Sequence, residues 1–149
     1  MSDTLTDRMG ALIAGFGDGS NGAAPTEAQW QHILERDPAR PITLINFFRL
    51  NVEARYEAGS GLSGSGQEAF DRYASVSIPT MQSVGGKFLL VGPYEGMFAG
   101  ADEDWDVIAI GAYPGTGALL DLFENADYQA CFKHRTAACA VQKVLIADC

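Results

Sequence analysis

The 149-residue chain has few basic residues: ten lysines and arginines stand against nineteen aspartates and glutamates, which gives a formal net charge of −9. Affinity for nucleic acid comes largely from Lys and Arg contacts to phosphates, so a nucleic-acid partner is not expected. The same balance disfavours docking on anionic lipid. No apolar run approaches the roughly 18 residues of a membrane span, and acidic residues precede the first apolar stretch. We therefore expect no membrane partner, no secretory signal and a cytoplasmic location.

Metal ligands and disulfide partners are also scarce. The chain has three cysteines, two histidines and no CxxC or HxxxH spacing, so a zinc site is not expected. Cys131 and Cys139 lie eight residues apart on one predicted helix, about 12 Å, which is too far for a disulfide. Cys131 and His134 are helix neighbours, but no third group is evident to orient them as a catalytic pair. There is no phosphate loop, GxGxxG or GxSxG motif, and we expect reduced thiols and no cofactor.

Apolar periodicity predicts the secondary structure. Helices are expected at 4–16, 26–37, 67–84, 116–124 and from 128 onward, and strands at 42–50, 87–93, 105–113 and 141–147. Thr26 and Gln29 fit a capping box, and Asp127 is expected to cap the last helix. The order β-α-β-β-α-β predicts an α+β, ferredoxin-like domain at residues 41–149, with an antiparallel four-stranded sheet and its helices on one side. Residues 1–40 are predicted to form an N-terminal helical extension.

The predicted strands are apolar on both faces, although the helices cover only one. In the strand at 42–50 only Asn46 and Arg49 interrupt the apolar pattern, and they lie on opposite faces. The face without helices needs a second cover, which predicts a homodimer with its sheets packed face to face. The Gly- and Ser-rich segment 54–66 is either a mobile lid or an ordinary surface insertion.

Arg135 lies at an unusual position for a charged residue. At about 100° per residue, a helix from Tyr128 to Cys139 places it near the middle of an apolar arc about 120° wide. A guanidinium in a core is costly unless a carboxylate or a bound anion neutralises it. Arg135 therefore either anchors an anionic ligand through its two-pronged donor or pairs with a carboxylate of the sheet, Asp106 first and Glu95 second.

Two further polar residues are candidates for a site. His134, at the flank of the apolar arc, is the one histidine of residues 41–149. It is either a general acid or base or a half-exposed helix residue. Asn46 either orients a substrate carbonyl or satisfies a buried backbone group.

Arg49 and three aromatic residues complete the candidate ligand-binding set. Arg49 is expected to meet a ligand or the partner subunit, or to form an ion pair at the rim. Tyr73, Trp105 and Tyr113 are either core and interface aromatics or groups that stack on a ligand and donate protons to it.

Several segments in order carry a resemblance to a known family. NFFRL at 46–50, Tyr56, AFDRYAS around Tyr73, GGKFLLVG at 85–92, WDVIAIGAYP at 105–114 and ADYQACFKHR at 126–135 are similar to segments of the family called domain of unknown function 1330. Many members carry glutamate-phenylalanine where this chain has Ala112-Tyr113, so no role of that glutamate transfers here. The resemblance spans about residues 41–149 and implies a ferredoxin-like, dimeric α/β barrel without an established activity.

These patterns lead to a functional hypothesis. Proteins of the wider dimeric α/β-barrel superfamily include cofactor-independent monooxygenases, isomerases and effector-binding domains, which is a fold-level analogy only. We expect a homodimer that binds a small anionic or aromatic compound between sheet and helices near Arg135. A cofactor-independent, isomerase- or monooxygenase-like enzyme would use His134 as base, with Arg135 and Asn46 stabilising an oxyanion. The alternatives are a ligand-sensing module without turnover and a purely structural dimer. The sequence leaves open whether the protein is an enzyme.

Overall fold

The computed structural model of the chain describes residues 3–148. The elements follow in the order α1 (Asp3–Phe16), α2 (Glu27–Leu34), β1 (Ile42–Leu50), α3 (Gly66–Ser83), β2 (Lys87–Pro93), β3 (Val107–Tyr113), α4 (Thr116–Glu124), α5 (Ala126–Ala138) and β4 (Cys139–Ala147). The strands form one sheet in the order β2-β3-β1-β4, and every neighbouring pair is antiparallel. From β1 onward this is the expected ferredoxin-like arrangement, with α4 and α5 sharing the second helix position. No helix in the described part of the chain combines the length and the apolar character needed to cross a membrane.

Local hydrogen bonds set the helix starts. The capping box of α2 is confirmed, because the Thr26 hydroxyl accepts from the backbone N–H of Gln29 while the Gln29 side chain accepts from the backbone N–H of Thr26. The predicted cap of α5 is wrong by two residues. Asn125 Oδ1 accepts from the N–H groups of Asp127 at 2.8 Å and Tyr128 at 3.1 Å, so Asp127 lies inside the first turn.

The N-terminal helices pack on α4 and α5. The Phe16 ring lies 4.8 Å from that of Phe132 and 5.1 Å from that of Phe123, and Trp30 lies 5.3 Å from Phe123. Leu12 and Trp30 are almost completely buried, as amphipathic helices require of their apolar stripes. Residues of α1 and α2 therefore share one core with the sheet domain, and a domain boundary at residue 40 stays a prediction.

The chain between β1 and α3 lies against the end of α5. The backbone N–H of Arg55 donates to the carbonyl of Ala137 at 2.9 Å, and Asn51 Nδ2 donates to the same carbonyl at 3.0 Å. A Cβ atom on Gly66 would overlap the carbonyl oxygen of Asn51, so glycine is required where α3 begins. A lid function for residues 54–66 stays a prediction.

The two faces of the sheet differ in their cover. The helix-facing side carries Asn46 of β1, which is paired with Ala109 of β3 and Val144 of β4. The opposite side, called the outer face below, carries an apolar row across all four strands: Leu90, Ile110, Ile45 and Leu145. Leu90 on one edge strand is 52% exposed and Leu145 on the other is 45% exposed.

Candidate functional site

A cavity of 470 Å³ lies between the helix-facing side of the sheet and the helices. Its walls are mostly aliphatic and aromatic, and the N-terminal segment around residues 22–26 borders it as well. Val144 and Ile146 line the cavity and are 41% and 42% exposed, so it is open to solvent along β4. Its volume falls in the range typical of small-molecule sites.

Arg135 on α5 lies in the wall of this cavity and is only 8% exposed. Its Nε donates to Gln142 Oε1 at 2.8 Å, and its Nη1 donates to the Tyr73 hydroxyl oxygen at 3.1 Å. Nη2 has no hydrogen-bond partner among residues 3–148. Both partners of this buried cation are therefore neutral, and one terminal nitrogen is free.

The predicted pairing of Arg135 with Asp106 or Glu95 is wrong. Asp106 precedes the first residue of β3 and turns toward the end of β1, where its Oδ2 accepts from the backbone N–H of Leu50 at 2.7 Å. Glu95 lies exposed in the irregular segment after β2. None of the ion pairs among the described residues includes Arg135.

Aromatic rings surround the Arg135 guanidinium. Its central carbon lies 4.9 Å from the ring centre of Phe48, 5.4 Å from Phe132 and 5.6 Å from Tyr73. Such cation–π contacts offset part of the cost of burying the charge. Burial lowers the pKa of Arg135, but the nearby phenols of Tyr73 and Tyr128 raise it by more, so the guanidinium is charged at neutral pH.

Two tyrosine hydroxyls form one hydrogen bond beside this cation. The hydroxyl oxygens of Tyr73 and Tyr128 are 2.7 Å apart, and both residues are buried. Burial raises the pKa of Tyr128 well above its ordinary value, and burial also raises the pKa of Tyr113, another lining residue. Tyr128 and Tyr113 therefore remain protonated at neutral pH, as groups that donate hydrogen bonds and do not act as bases.

Asn46 lies on the sheet side of the cavity. Its Nδ2 donates to the backbone carbonyl of Ala109 at 3.0 Å, which is the expected alternative of satisfying a buried backbone group. Its Oδ1 has no hydrogen-bond partner in the described part of the chain, so Asn46 also presents an acceptor within the cavity wall. Asn46, Tyr73, Tyr113 and Arg135 are the sequence-predicted residues that the structure brings together.

His134 is not among them. It lies on the outer side of α5, in the groove between α3 and α5, where its Nδ1 is 2.7 Å from the Tyr56 hydroxyl oxygen. Arg72 donates to the same oxygen at 2.9 Å. Burial lowers the pKa of His134, and the charges of Lys133 and Arg72 lower it further. The joint role predicted for His134 and Arg135 has no geometric support, because one helix turns the two adjacent side chains to different sides.

Arg49 and Trp105 lie on the outer face. Arg49 is 42% exposed at its side chain and pairs with Asp104 at 3.5 Å, the expected rim ion pair. The Trp105 ring lies 5.7 Å from that of Phe47, and Lys143 Nζ lies 5.4 Å from the Trp105 ring. The predicted strand at 105–113 would place Trp105 on the same face as Tyr113, but the strand begins only at Val107, so the alternation does not extend back to Trp105.

Sequence reasoning did not identify Gln142 or Tyr128 as site residues. Gln142 interrupts an apolar alternation on β4 opposite Phe48, a signal that could have marked it. Tyr128 was predicted as the first residue of the helix that carries Arg135, but the sequence does not indicate its hydroxyl partner, which lies on another helix. Burial raises the pKa of the Cys131 and Cys139 thiols, each to about 11, so both are protonated at neutral pH.

Comparison with known proteins gives a family without an assigned activity. The RPA0582 protein of unknown function from Rhodopseudomonas palustris is similar in structure, with a TM-score of 0.77 and 29% identity over 85% of this chain and 95% of that one. The crystal structure of a methylated RPA0582 protein gives a TM-score of 0.77 and 30% identity over 85% of this chain and 93% of that one. No curated protein matches the sequence. The profile described as domain of unknown function (DUF1330) matches residues 62–149, more than half of the chain, and the protein belongs to that family.

Proposed function

We propose that this protein binds a small, largely apolar anion in the cavity between sheet and helices, with Arg135 as its anchor. One observation carries the proposal: Arg135 is the only charged side chain among the buried described residues, and no carboxylate neutralises it. An uncompensated buried charge costs several kcal/mol, at the order of magnitude of ion desolvation. A ligand anion would recover that cost, and the open Nη2 offers it a donor.

The chemistry of the lining favours binding without turnover. Among the described lining residues there is no carboxylate, imidazole or thiol that could act as a general base. This supports the ligand-binding or ligand-sensing role. A cofactor-independent isomerase or monooxygenase is the second candidate, because Arg135 and Tyr73 are donors that would stabilise an oxyanion formed on the ligand itself.

We also propose that the protein is a homodimer in which two outer faces pack together, as in a dimeric α/β barrel. The apolar row of Leu90, Ile110, Ile45 and Leu145 supports this, since it crosses the whole sheet, its end residues Leu90 and Leu145 are exposed, and exposed apolar patches mark interfaces. A symmetric pair would bury the same row from both copies. The cavity of each subunit lies on the other side of its sheet, so the two proposals are independent.

The binding proposal is tested by calorimetric titration with two anions and their neutral analogues: benzoate against benzamide, and 4-nitrophenolate against 4-nitroanisole. We expect wild type to bind at least one anion about tenfold more tightly than its neutral analogue, the equivalent of about 1.4 kcal/mol. Arg135→Met should abolish that preference while binding the neutral analogue unchanged. If wild type binds neither anion in preference to its neutral analogue, the anchor role is wrong.

A further inference from the structure

The hydrogen-bond arrangement around Tyr73 leaves one phenolic hydrogen without an acceptor. Arg135 has only donors, so the Tyr73 oxygen must accept from Nη1. The remaining bond, between the hydroxyl oxygens of Tyr73 and Tyr128, can run in either direction. The two hydroxyl groups carry two hydrogens but form only one hydrogen bond with each other. In either direction, one of the two hydrogens therefore has no acceptor.

Burial decides which hydrogen that is. If Tyr73 donated to Tyr128, the hydrogen of Tyr128 would have no acceptor, in a side chain that is 2% exposed and makes no other hydroxyl hydrogen bond in the described chain. A buried donor without a partner costs about 1–3 kcal/mol. If Tyr128 donates to Tyr73, the Tyr73 oxygen accepts twice and its own O–H is free. Both tyrosines line the cavity, but Tyr73 is 8% exposed against 2% for Tyr128, so the hydrogen of Tyr73 is the one that a ligand can accept.

The hydrogen bonds of Arg135 limit what the ligand can be. A carboxylate commonly binds arginine side-on, through Nε and one Nη together. Nε is already engaged with Gln142 and Nη1 with Tyr73, so the fork is in use on the protein's own groups. Three N–H groups of the guanidinium are left for a ligand, the second of Nη1 and the two of Nη2, and the hydroxyl of Tyr73 lies beside them as the hydrogen-bonded neighbour of Nη1. Neighbouring donors from two different groups suit a single oxygen atom that accepts from both.

We propose that Tyr73 and Arg135 clamp one oxygen of a phenol or enol that is bound as its anion, with Tyr128 as the positioning residue that turns the Tyr73 hydroxyl toward the ligand. This inference rests on the proposed function and narrows its ligand class. The phenolic or enolic proton leaves to solvent on binding, so each binding event releases one proton. The rings of Phe48 and Phe132 flank the guanidinium and give the carbon skeleton of an aromatic ligand apolar surface.

The test uses 4-nitrophenol, whose phenolate has a separate visible absorption band, at a pH below its own pKa in solution. Wild type is expected to bind it with the phenolate band present and with one proton released, as measured by calorimetry in buffers of different ionisation heat. Binding of 4-nitrophenol relative to 4-nitroanisole should fall about tenfold in Tyr73→Phe, which removes a donor to a charged oxygen. Tyr128→Phe should lower the same ratio about threefold, although Tyr128 does not itself donate to the ligand, because the Tyr73 hydroxyl can then turn away from the ligand.

Tyr94→Phe is the matched control. It also removes one tyrosine hydroxyl, which donates to the backbone carbonyl of Glu103 at 3.0 Å, outside the cavity. It should leave the ratio unchanged, and circular dichroism should show all three variants folded. If benzoate and 4-nitrophenolate both bind through Arg135 but 4-nitrophenol binds as the neutral phenol, the anchor stands and the clamp is refuted. An unchanged ratio in folded Tyr128→Phe overturns the positioning role. If neither anion binds at any pH, the proposed function itself has failed.

Discussion

Replacing Arg135 by methionine should leave the free energy of unfolding almost unchanged. Methionine has a similar length, fills irregular apolar space well and removes the charge. A buried arginine that was paired with a carboxylate would leave that carboxylate alone in the core. None of the ion pairs in residues 3–148 includes Arg135, so the usual cause of a large loss of stability on replacing a buried arginine is absent.

The magnitude follows from the contacts of the guanidinium. Loss of the two hydrogen bonds to Gln142 and Tyr73 costs about 3–6 kcal/mol in total, because the donor of both is the charged guanidinium. Loss of the cation–π contacts with Phe48 and its neighbours costs up to about 2 kcal/mol. Against these stands the relief of several kcal/mol of desolvation. We therefore expect a change within about 1 kcal/mol of zero, or a gain in stability.

The assay is urea unfolding followed by circular dichroism, with thermal unfolding as a second measurement. For a chain of this size, 1 kcal/mol corresponds to roughly 2–4 °C in melting temperature. Both proteins are compared at one concentration, because association couples to stability. Arg8→Met is the matched control: Arg8 forms a half-exposed ion pair with Glu124, so it should change stability by less than about 1 kcal/mol and leave ligand binding intact.

A loss of about 3 kcal/mol or more in Arg135→Met would refute this reasoning. It would mean that the guanidinium compensates a buried negative group in the native protein, as in a broken internal ion pair. A small change in stability together with a loss of anion binding would match the anchor role.

Three further predictions concern other parts of the chain. Because folding lowers the pKa of His134, the unfolded chain binds the His134 proton at a higher pH than the folded chain does, and the free energy of unfolding should fall as the pH drops below about 6.5. Urea unfolding at several pH values should show a shallower fall in His134→Asn. Gly66→Ala should destabilise by about 1–3 kcal/mol because its Cβ overlaps backbone, whereas Gly10→Ala, in open space on a helix, should stabilise by about 0.5–1 kcal/mol. Ile110→Lys should give monomers in light scattering, whereas Val52→Lys, at an exposed apolar residue away from the sheet, should not.

Each of these has an outcome that would contradict it. Equal pH dependence in wild type and His134→Asn would remove the histidine as the cause of acid sensitivity. Equal stability of the two alanine variants would mean that the β1–α3 connection yields without cost. A dimer that survives Ile110→Lys would place the interface elsewhere than on the outer face.

The order of the elements could be predicted from the sequence because its signals are local. The strands at 42–50 and 87–93 and the helix at 116–124 have the expected bounds, since alternation and capping depend on residues within a few positions. The errors fall where a single residue decides a boundary. Asn125 caps α5 in place of Asp127, and Trp105 lies outside β3, because hydrogen bonds fixed by neighbouring elements set those ends.

The sequence by itself determined that a charge lies in an apolar helical stripe, because the helical period places Arg135 there whatever surrounds it. What faces that charge was decided only by the tertiary structure. Tyr73 lies 62 residues away along the chain, and the carboxylate guessed as a partner turns toward the end of β1 instead. Side-chain partners across such distances depend on how helices and sheet pack, and periodicity within one element carries no information about them. The cavity exists for the same reason: it is the space that the packed layers leave between them.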